Sequence, residues 1–244
     1  LALFFGAEAN VGVGNPFDGK LDEVRLYNRV LSVDEIGRLY SLVTPTGIDA
    51  GLDGYWSLDG EDMSATEAFD RSGAGGTGAL IGTPTKSLGR VGQAINFDGT
   101  DDGVSVADNP ILDVGNAVDL TVSGWFSRDT FTTDDTIIAK KNNPVNTQAG
   151  YSAYIDDAND KLYFDVSDNP DNYQVVSTRT FTDTDWHHFA VVWDQDSASG
   201  TEIYIDGVAD NGTDTGTIAN VDSISNTRVF AIGAESDAGN PFDG

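Results

Sequence analysis

The chain has no cysteine, one methionine and two histidines among 244 residues. Without cysteine, disulfide staples and thiolate metal sites are excluded. Basic residues are scarce: 13 Lys and Arg stand against 40 Asp and Glu, a net charge of −27. Nucleic acid and anionic membranes both demand a basic face, so neither is expected as a partner. No apolar run is long enough to cross a bilayer, and no membrane insertion is expected. "LALFFGAE" at the start lacks a basic flank and runs into turn-rich sequence, so it reads as a strand, not a leader. The surplus of acid fits a solvated surface and leaves divalent cations as a possible partner.

What is present is a short-period pattern. At 39% hydrophobic and 10% aromatic the chain can bury a core. Apolar or alternating segments recur at 1–6, 20–28, 54–58, 93–97, 103–107, 119–127, 136–140, 150–156, 161–167, 173–178, 186–194, 201–206 and 228–233, separated by Gly, Asn, Asp and Thr. That spacing predicts an all-β sandwich or barrel. In "WHHFAVVW", Trp186, His188, Ala190 and Val192 point one way and His187, Phe189, Val191 and Trp193 the other. Both sets are largely apolar, as in a central strand covered on both faces. "IDDANDKL" and "YIDGVADNG" carry hairpin-turn residues. One short helix is predicted near 32–42. Ser32 and Glu35 form a capping box, and Val33, Ile36, Leu39 and Tyr40 share a face.

The sequence repeats itself. "FFGAEANVGVGNPFDG" at 4–19 returns as "AIGAESDAGNPFDG" at 231–244, with substitutions and a two-residue change of length. Such a repeat marks phase in an array. Residues 1–42 therefore read as the closing strands and helix of a preceding repeat, or as a donor segment. Residues 43–49 read as a linker, and 50–244 as a sandwich that lacks its closing strand. An unfilled strand position would leave open backbone groups. Residues 20–42 can fill it from the same chain, from a neighbouring chain, or from the next repeat. The duplicated stretch favours an array or head-to-tail filament over a self-contained permuted monomer.

Eight segments occur in a recognisable order: "GYWSLDG", "FDRSGAGGTGALIG", "GRVGQAINFDGTDDGVSV", "LTVSGWF", "IIAKK", "WHHFAVVWD", "IYIDGV" and "VFAIGAE". Together they resemble the bacterial laminin G-like domain of the concanavalin A-like lectin/glucanase superfamily. The closing signature of that family resembles "FDGKLDEVRLYNRVLSVDEI", which here precedes the domain. The resemblance implies a two-sheet antiparallel jelly-roll sandwich. It also implies an extracellular or cell-surface module of structural or adhesive role, partnering copies of itself or adjacent repeats through strand 20–28. The alternative it implies is a carbohydrate-binding lectin module of a larger secreted enzyme or adhesin.

Some relatives in that superfamily hydrolyse glycosides through paired carboxylates in a Glu-x-Asp-x-(x)-Glu pattern. None is found here, and Asp22 and Glu23 are expected on opposite faces of a strand. His187 and His188 have no accompanying nucleophile motif. The chain is therefore expected not to be an enzyme. Calcium is the expected cofactor, since it takes six to eight oxygen ligands from carboxylates and turns. The family resemblance nominates Asp22 and Asp70. The acidic turn at 97–102 adds Asp98, Asp101 and Asp102, residues that also favour a turn without metal. Tyr151, Tyr154, Tyr163 and Tyr173 are candidates for stacking on sugar rings, though strand alternation fits packing for most of them.

Overall fold

Alternation of apolar residues produces strands along nearly the whole chain. The computed structural model describes residues 17–41, 48–115, 118–131, 134–141, 148–197, 200–218 and 221–233. The expected strand at 1–6 and nearly all of the duplicated stretch lie outside the described residues. The chain begins with β1 (Asp18–Tyr27), α1 (Val33–Ser41), β2 (Leu52–Trp56), β3 (Glu67–Ala68), β4 (Gly78–Ile81) and β5 (Thr85–Leu88). It continues with β6 (Gln93–Asp98), β7 (Gly103–Val106), β8 (Leu120–Arg128), β9 (Asp135–Ala139), β10 (Gly150–Asp156) and β11 (Lys161–Ser167). The remainder are β12 (Asn172–Thr180), β13 (His187–Trp193), β14 (Glu202–Ile205), β15 (Val208–Ala209), β16 (Thr215–Gly216) and β17 (Phe230–Ile232).

These strands form two antiparallel sheets. The first runs β15-β14-β13-β8-β1-β6-β5, with β2 also paired to β1. The second runs β16-β12-β11-β10-β9-β17-β7-β4-β3. Their facing sides share one core, in which Leu21, Phe126 and Phe189 of the first sheet meet Ile138, Phe164 and Phe230 of the second. Trp56 stacks on Phe230 across it at 5.6 Å. The expected two-faced strand is seen in β13. Phe189, Val191 and Trp193 enter this core, while Ala190 and Val192 enter a second cluster beneath the helix.

Helix α1 packs on the outer face of the first sheet through Ile36 and Leu39, against Tyr27, Leu31, Val192 and Tyr204. The capping box forms as expected: the Ser32 amide donates to the Glu35 carboxylate at 2.9 Å, and the Glu35 amide donates to Ser32 Oγ at 3.4 Å. Arg29 clamps the same carboxylate through two nitrogens, at 2.8 and 3.1 Å. Tyr40 stacks on Trp125 at 5.6 Å. Val33, expected on the packed face, is exposed instead: the helix is anchored through Ile36 and Leu39, and Val33 lies outside the cluster they form.

Strand β1 holds the centre of the first sheet. One edge pairs with β8 from Gly19 to Tyr27. The other is shared by β6, at Asp18–Leu21, and β2, from Val24 to Tyr27. Gly19, the last residue of the first "NPFDG", crosses so close to β8 that a Cβ there would run into the Ser127 carbonyl oxygen. The segment expected to belong to a preceding repeat, or to act as a donor, is thus laid into the sandwich of its own chain. This is the first of the three arrangements considered.

Truncating the helix anchor tests this packing. Ile36→Ala is expected to lower unfolding stability by about 2–5 kcal/mol, read from denaturant midpoints at constant slope.

Candidate functional site

The alternation of β1 breaks at Asp22. Asp22 lies opposite Trp125 and Arg25 opposite Ser123, so two residues face one on β8 and the strand bulges, with Glu23 at φ 55°. The bulge corrects the expectation that Asp22 and Glu23 point to opposite faces. Glu23 instead turns toward the side of Arg25, which it pairs with, and accepts from Tyr55 OH at 2.9 Å. The Arg25 guanidinium sits over the Tyr55 ring at 4.1 Å. Asp22, Trp125 and His188 make one row across β1, β8 and β13. Tyr40 and Arg90 cover Trp125, the latter at 4.7 Å.

Asp22 is buried, and only one of its oxygens is engaged, accepting from the Val91 amide at 2.8 Å. Its Oδ1 has no partner. Burial pushes this carboxyl up to about 8; Glu23 and Asp59 add to the rise and the Val91 amide opposes it. His188 Nδ1 is likewise buried and unpartnered, and burial lowers that imidazole to about 3, so it is neutral. His187, on the core side, lies 3.2 Å from Asp206 and 3.0 Å from Asp183. Burial opposes its charge, but these carboxylates outweigh burial and raise its pKa.

The five candidate calcium ligands fall into three places. Asp98, Asp101 and Asp102 come together, each offering a carboxylate oxygen within 4.8 Å of the others. That separation suits Ca–O distances of about 2.3–2.6 Å. Asp102 also serves the backbone, accepting from Thr83 at 2.7 Å and Asp98 at 3.1 Å. Asp22 stands at the other end of the β1–β6 pair, four register steps away, since Asp18 opposes Asp98 and Leu21 opposes Ile95. Four steps of about 3.3 Å put it near 13 Å from the cluster. Asp70 sits in a separate loop. Its Oδ1 accepts from the Tyr55 and Ser72 amides at 2.9 Å each. Its Oδ2 accepts from Ser72 Oγ, Gly75 and Gly76 at 2.9, 2.9 and 3.2 Å. A carboxylate so fully supplied with donors organises its loop and leaves little for a cation. The residues present therefore fit a cation at Asp98–Asp102 and fit it poorly at Asp70; Asp22 offers a single free buried oxygen outside that group.

Of the four tyrosines proposed as sugar platforms, Tyr151 and Tyr173 are buried in the core. Tyr154 and Tyr163 stack at 5.3 Å on the outer face of the second sheet. Tyr163 borders a groove of about 320 Å³ together with Lys161 and Gln174. Sequence reasoning missed this groove, although the alternation of Lys161 and Tyr163 between apolar residues in "KLYFDV" carried its signal. It also missed the buried pair of Arg128 and Asp135 at 2.6 Å, and Asp53, whose Oδ2 is buried without a partner.

With the geometry in place, comparison with known families is informative. A laminin G-type family model, described as the concanavalin A-like lectin/glucanases superfamily, matches residues 98–244, more than half of the chain. A search of curated proteins found no match.

Asp22 generates a pH prediction. An acid whose pKa is raised on folding keeps its proton in the native state while the unfolded chain releases it. Stability therefore falls as pH rises from the ordinary carboxylate range to about 8, then levels off. Asp22→Asn removes that loss. In chelator, the variant is expected to exceed the parent by on the order of 1–3 kcal/mol above pH 8. The gap should close toward pH 4 in paired denaturant titrations.

Proposed function

The chain belongs to the concanavalin A-like lectin/glucanase superfamily as a laminin G-like domain. On that premise we propose that it is a non-catalytic, extracellular structural or adhesive repeat module, assembled head to tail by exchange of its closing strand. Laminin G-like domains are generally non-catalytic and typically extracellular, which supports the first part. Among the described residues no helix is long and apolar enough to span a membrane.

One observation carries the second part. The Phe17 amide donates to the Gly233 carbonyl at 3.1 Å, so the entry to β1 touches the exit from β17. Phe17 belongs to the first "NPFDG", and its counterpart in the second is Phe242, nine residues after Gly233. A strand following the second motif would therefore arrive at the place that β1 of the first motif occupies. A following strand that repeated the sequence of β1 would fit the same slot, and a domain that accepts an identical element from a neighbour assembles at little cost in contacts. A heterologous contact of this kind propagates as a fibre unless its rotation closes a ring.

Calcium is proposed as a stabiliser, held by the Asp98–Asp102 turn, with Asp22 as a separate position about 13 Å away. Three carboxylates within 4.8 Å and the buried free oxygen of Asp22 support it. The metal would neutralise charge that the fold otherwise buries or crowds together. A second reading, a carbohydrate-binding module, is favoured by the outer-face groove beside Tyr163.

Lys20 and Ser127 lie opposite each other on β1 and β8, and the chain carries no cysteine to compete. In a Lys20→Cys/Ser127→Cys variant, oxidation is expected to lock the strand within each chain in dilute solution and to give a covalent ladder of multimers on non-reducing gels as protein concentration rises. A product that is monomeric at every protein concentration would sink strand exchange.

Saturating calcium, at about 100 times its Kd, adds about 2.7 kcal/mol. For a chain of this length that is roughly 5–10 °C in Tm. EDTA is expected to remove the increment, and Asp102→Asn to abolish most of it. A melt indifferent to EDTA would count against the metal.

A further inference from the structure

The outer face of the second sheet carries a built polar groove. Its floor is β11 and β12, one wall is the turn between β10 and β11, and the other is the segment leading into β16. Asn159, Lys161, Tyr163, Gln174, Thr213 and Thr215 line it, around about 320 Å³. That volume lies at the small end of ligand pockets, about 300–1,000 Å³.

Three features set it apart from the rest of the surface. First, its charge is inverted. In a chain with 40 acidic residues, no carboxylate lines the groove, while a lysine does. Among the described residues no carboxylate pairs with the Lys161 ammonium, whereas Lys20, Lys140 and Lys141 each have one; Lys86 is also without one but lies on exposed β5 and lines no part of this groove. An ammonium left unpaired amid such an excess of acid is available to an outside anion.

Second, the lining is fixed in advance. Tyr163 stacks on Tyr154 with ring planes 15° apart. Its hydroxyl accepts from Asn159 Nδ2 at 2.8 Å, and Gln174 Nε2 donates to Tyr154 OH at 3.1 Å. Thr215 Oγ1 donates to Gln174 Oε1 at 3.5 Å. Groups held by their neighbours lose little freedom when a ligand docks.

Third, the chemistry is mixed in a specific way. An aromatic ring stands among amides, hydroxyls and one ammonium. A flat aromatic suits the C–H face of a pyranose, the amides and hydroxyls suit its ring hydroxyls, and the ammonium suits a carboxylate on the same sugar.

We infer that this groove binds a uronic acid unit of an acidic glycan, with Tyr163 beneath the ring and Lys161 on the carboxylate. The inference rests on the carbohydrate-binding reading of the domain and is independent of strand exchange. A short oligomer is the fitting ligand, because the net charge of −27 repels a long polyanion beyond contact range.

The test is calorimetric titration of the full chain with a short galacturonate oligomer and with its neutral galactose counterpart. Tight binding of the acidic oligomer and weak binding of the neutral one are expected. Lys161→Met keeps the aliphatic stem and removes the charge. It should weaken the acidic oligomer about tenfold or more, the loss of one hydrogen bond to a charged group, and leave the neutral one unchanged. Tyr163→Ala should weaken both, with its melt checked against the parent. Equal affinity for the two oligomers overturns the assignment to a uronic acid. Acidic-oligomer binding that survives Lys161→Met and a folded Tyr163→Ala overturns the location while sparing the carbohydrate-binding reading. Binding of neither oligomer overturns the inference, and a broader panel of neutral glycans that also fails to bind removes that reading itself.

Discussion

A strand in the middle of a sheet has two edges to satisfy, and everything in this molecule depends on one such strand. β1 pairs with β8 along one side and with β6 and β2 along the other. Its side chains Leu21, Val24 and Leu26 enter the shared core, and Tyr27 on the opposite face supports the helix. Without it β8, β6 and β2 would each expose a row of amides and carbonyls beside an apolar gap, and buried backbone groups are almost never left unpaired. The slot must be filled. Its occupant need only have the right sequence, and need not come from any particular point along the chain.

Charge is the second constraint. A net charge of −27 means carboxylates outnumber the cations able to pair with them, and three of the 13 basic residues are fully buried against carboxylates. Arg128 and Lys141 are fully buried, against Asp135 and Asp165 respectively. Lys140 is equally buried and reaches Asp113 at 2.8 Å. Burial makes a carboxylate a weak acid with or without such a partner: it pushes Asp53 to about 6, Asp22 to about 8 and Asp135 to about 7, the last despite the opposing pull of Arg128. Asp53 and Asp22 are the positions where a bound cation would matter most, and equally where replacing charge with a neutral amide is cheapest.

Much of this was legible in the sequence because periodicity and turn chemistry are local. The β10–β11 and β14–β15 hairpins, the Ser32–Glu35 box and the two-faced β13 all follow from residues within a few positions of one another. Short edge elements such as β3, β5 and β16 were not foreseen, since a few residues carry no measurable period. The Asp22 bulge was invisible for a related reason: the alternation in "KLDEVRLY" is interrupted by a backbone choice at Glu23, with no glycine to announce it. The candidate metal ligands illustrate the harder limit. Asp98, Asp101 and Asp102 are neighbours in sequence and remain neighbours in space. Whether Asp22 joins them depends on the register of β1 against β6, which no local pattern states. Asp70 has the composition of a ligand, but its donors come from Tyr55, Ser72, Gly75 and Gly76, and only the folded loop brings them together.

The strand slot and the repeat together decide how assembly is controlled. If, as proposed, a neighbouring copy can donate this strand, it would make the same pairs with β8, β6 and β2 that the chain's own strand makes, and contact energy would not choose between them. The choice falls to chain connection. A tethered strand competes at an effective concentration of about millimolar for short flexible linkers, far above that of a free neighbour in dilute solution. A separate chain therefore closes on itself when dilute. Between copies joined in one polypeptide both donors are tethered, and the advantage disappears. Under that proposal the contact between Phe17 and Gly233 would be the point of decision, because a following strand would have to enter there. Gly19 sharpens that decision: the second "NPFDG" ends in the same glycine, and only a glycine clears the Ser127 carbonyl at the entry to the slot. A strand that entered the slot under the proposed exchange would need that glycine, and the repeated motif carries it.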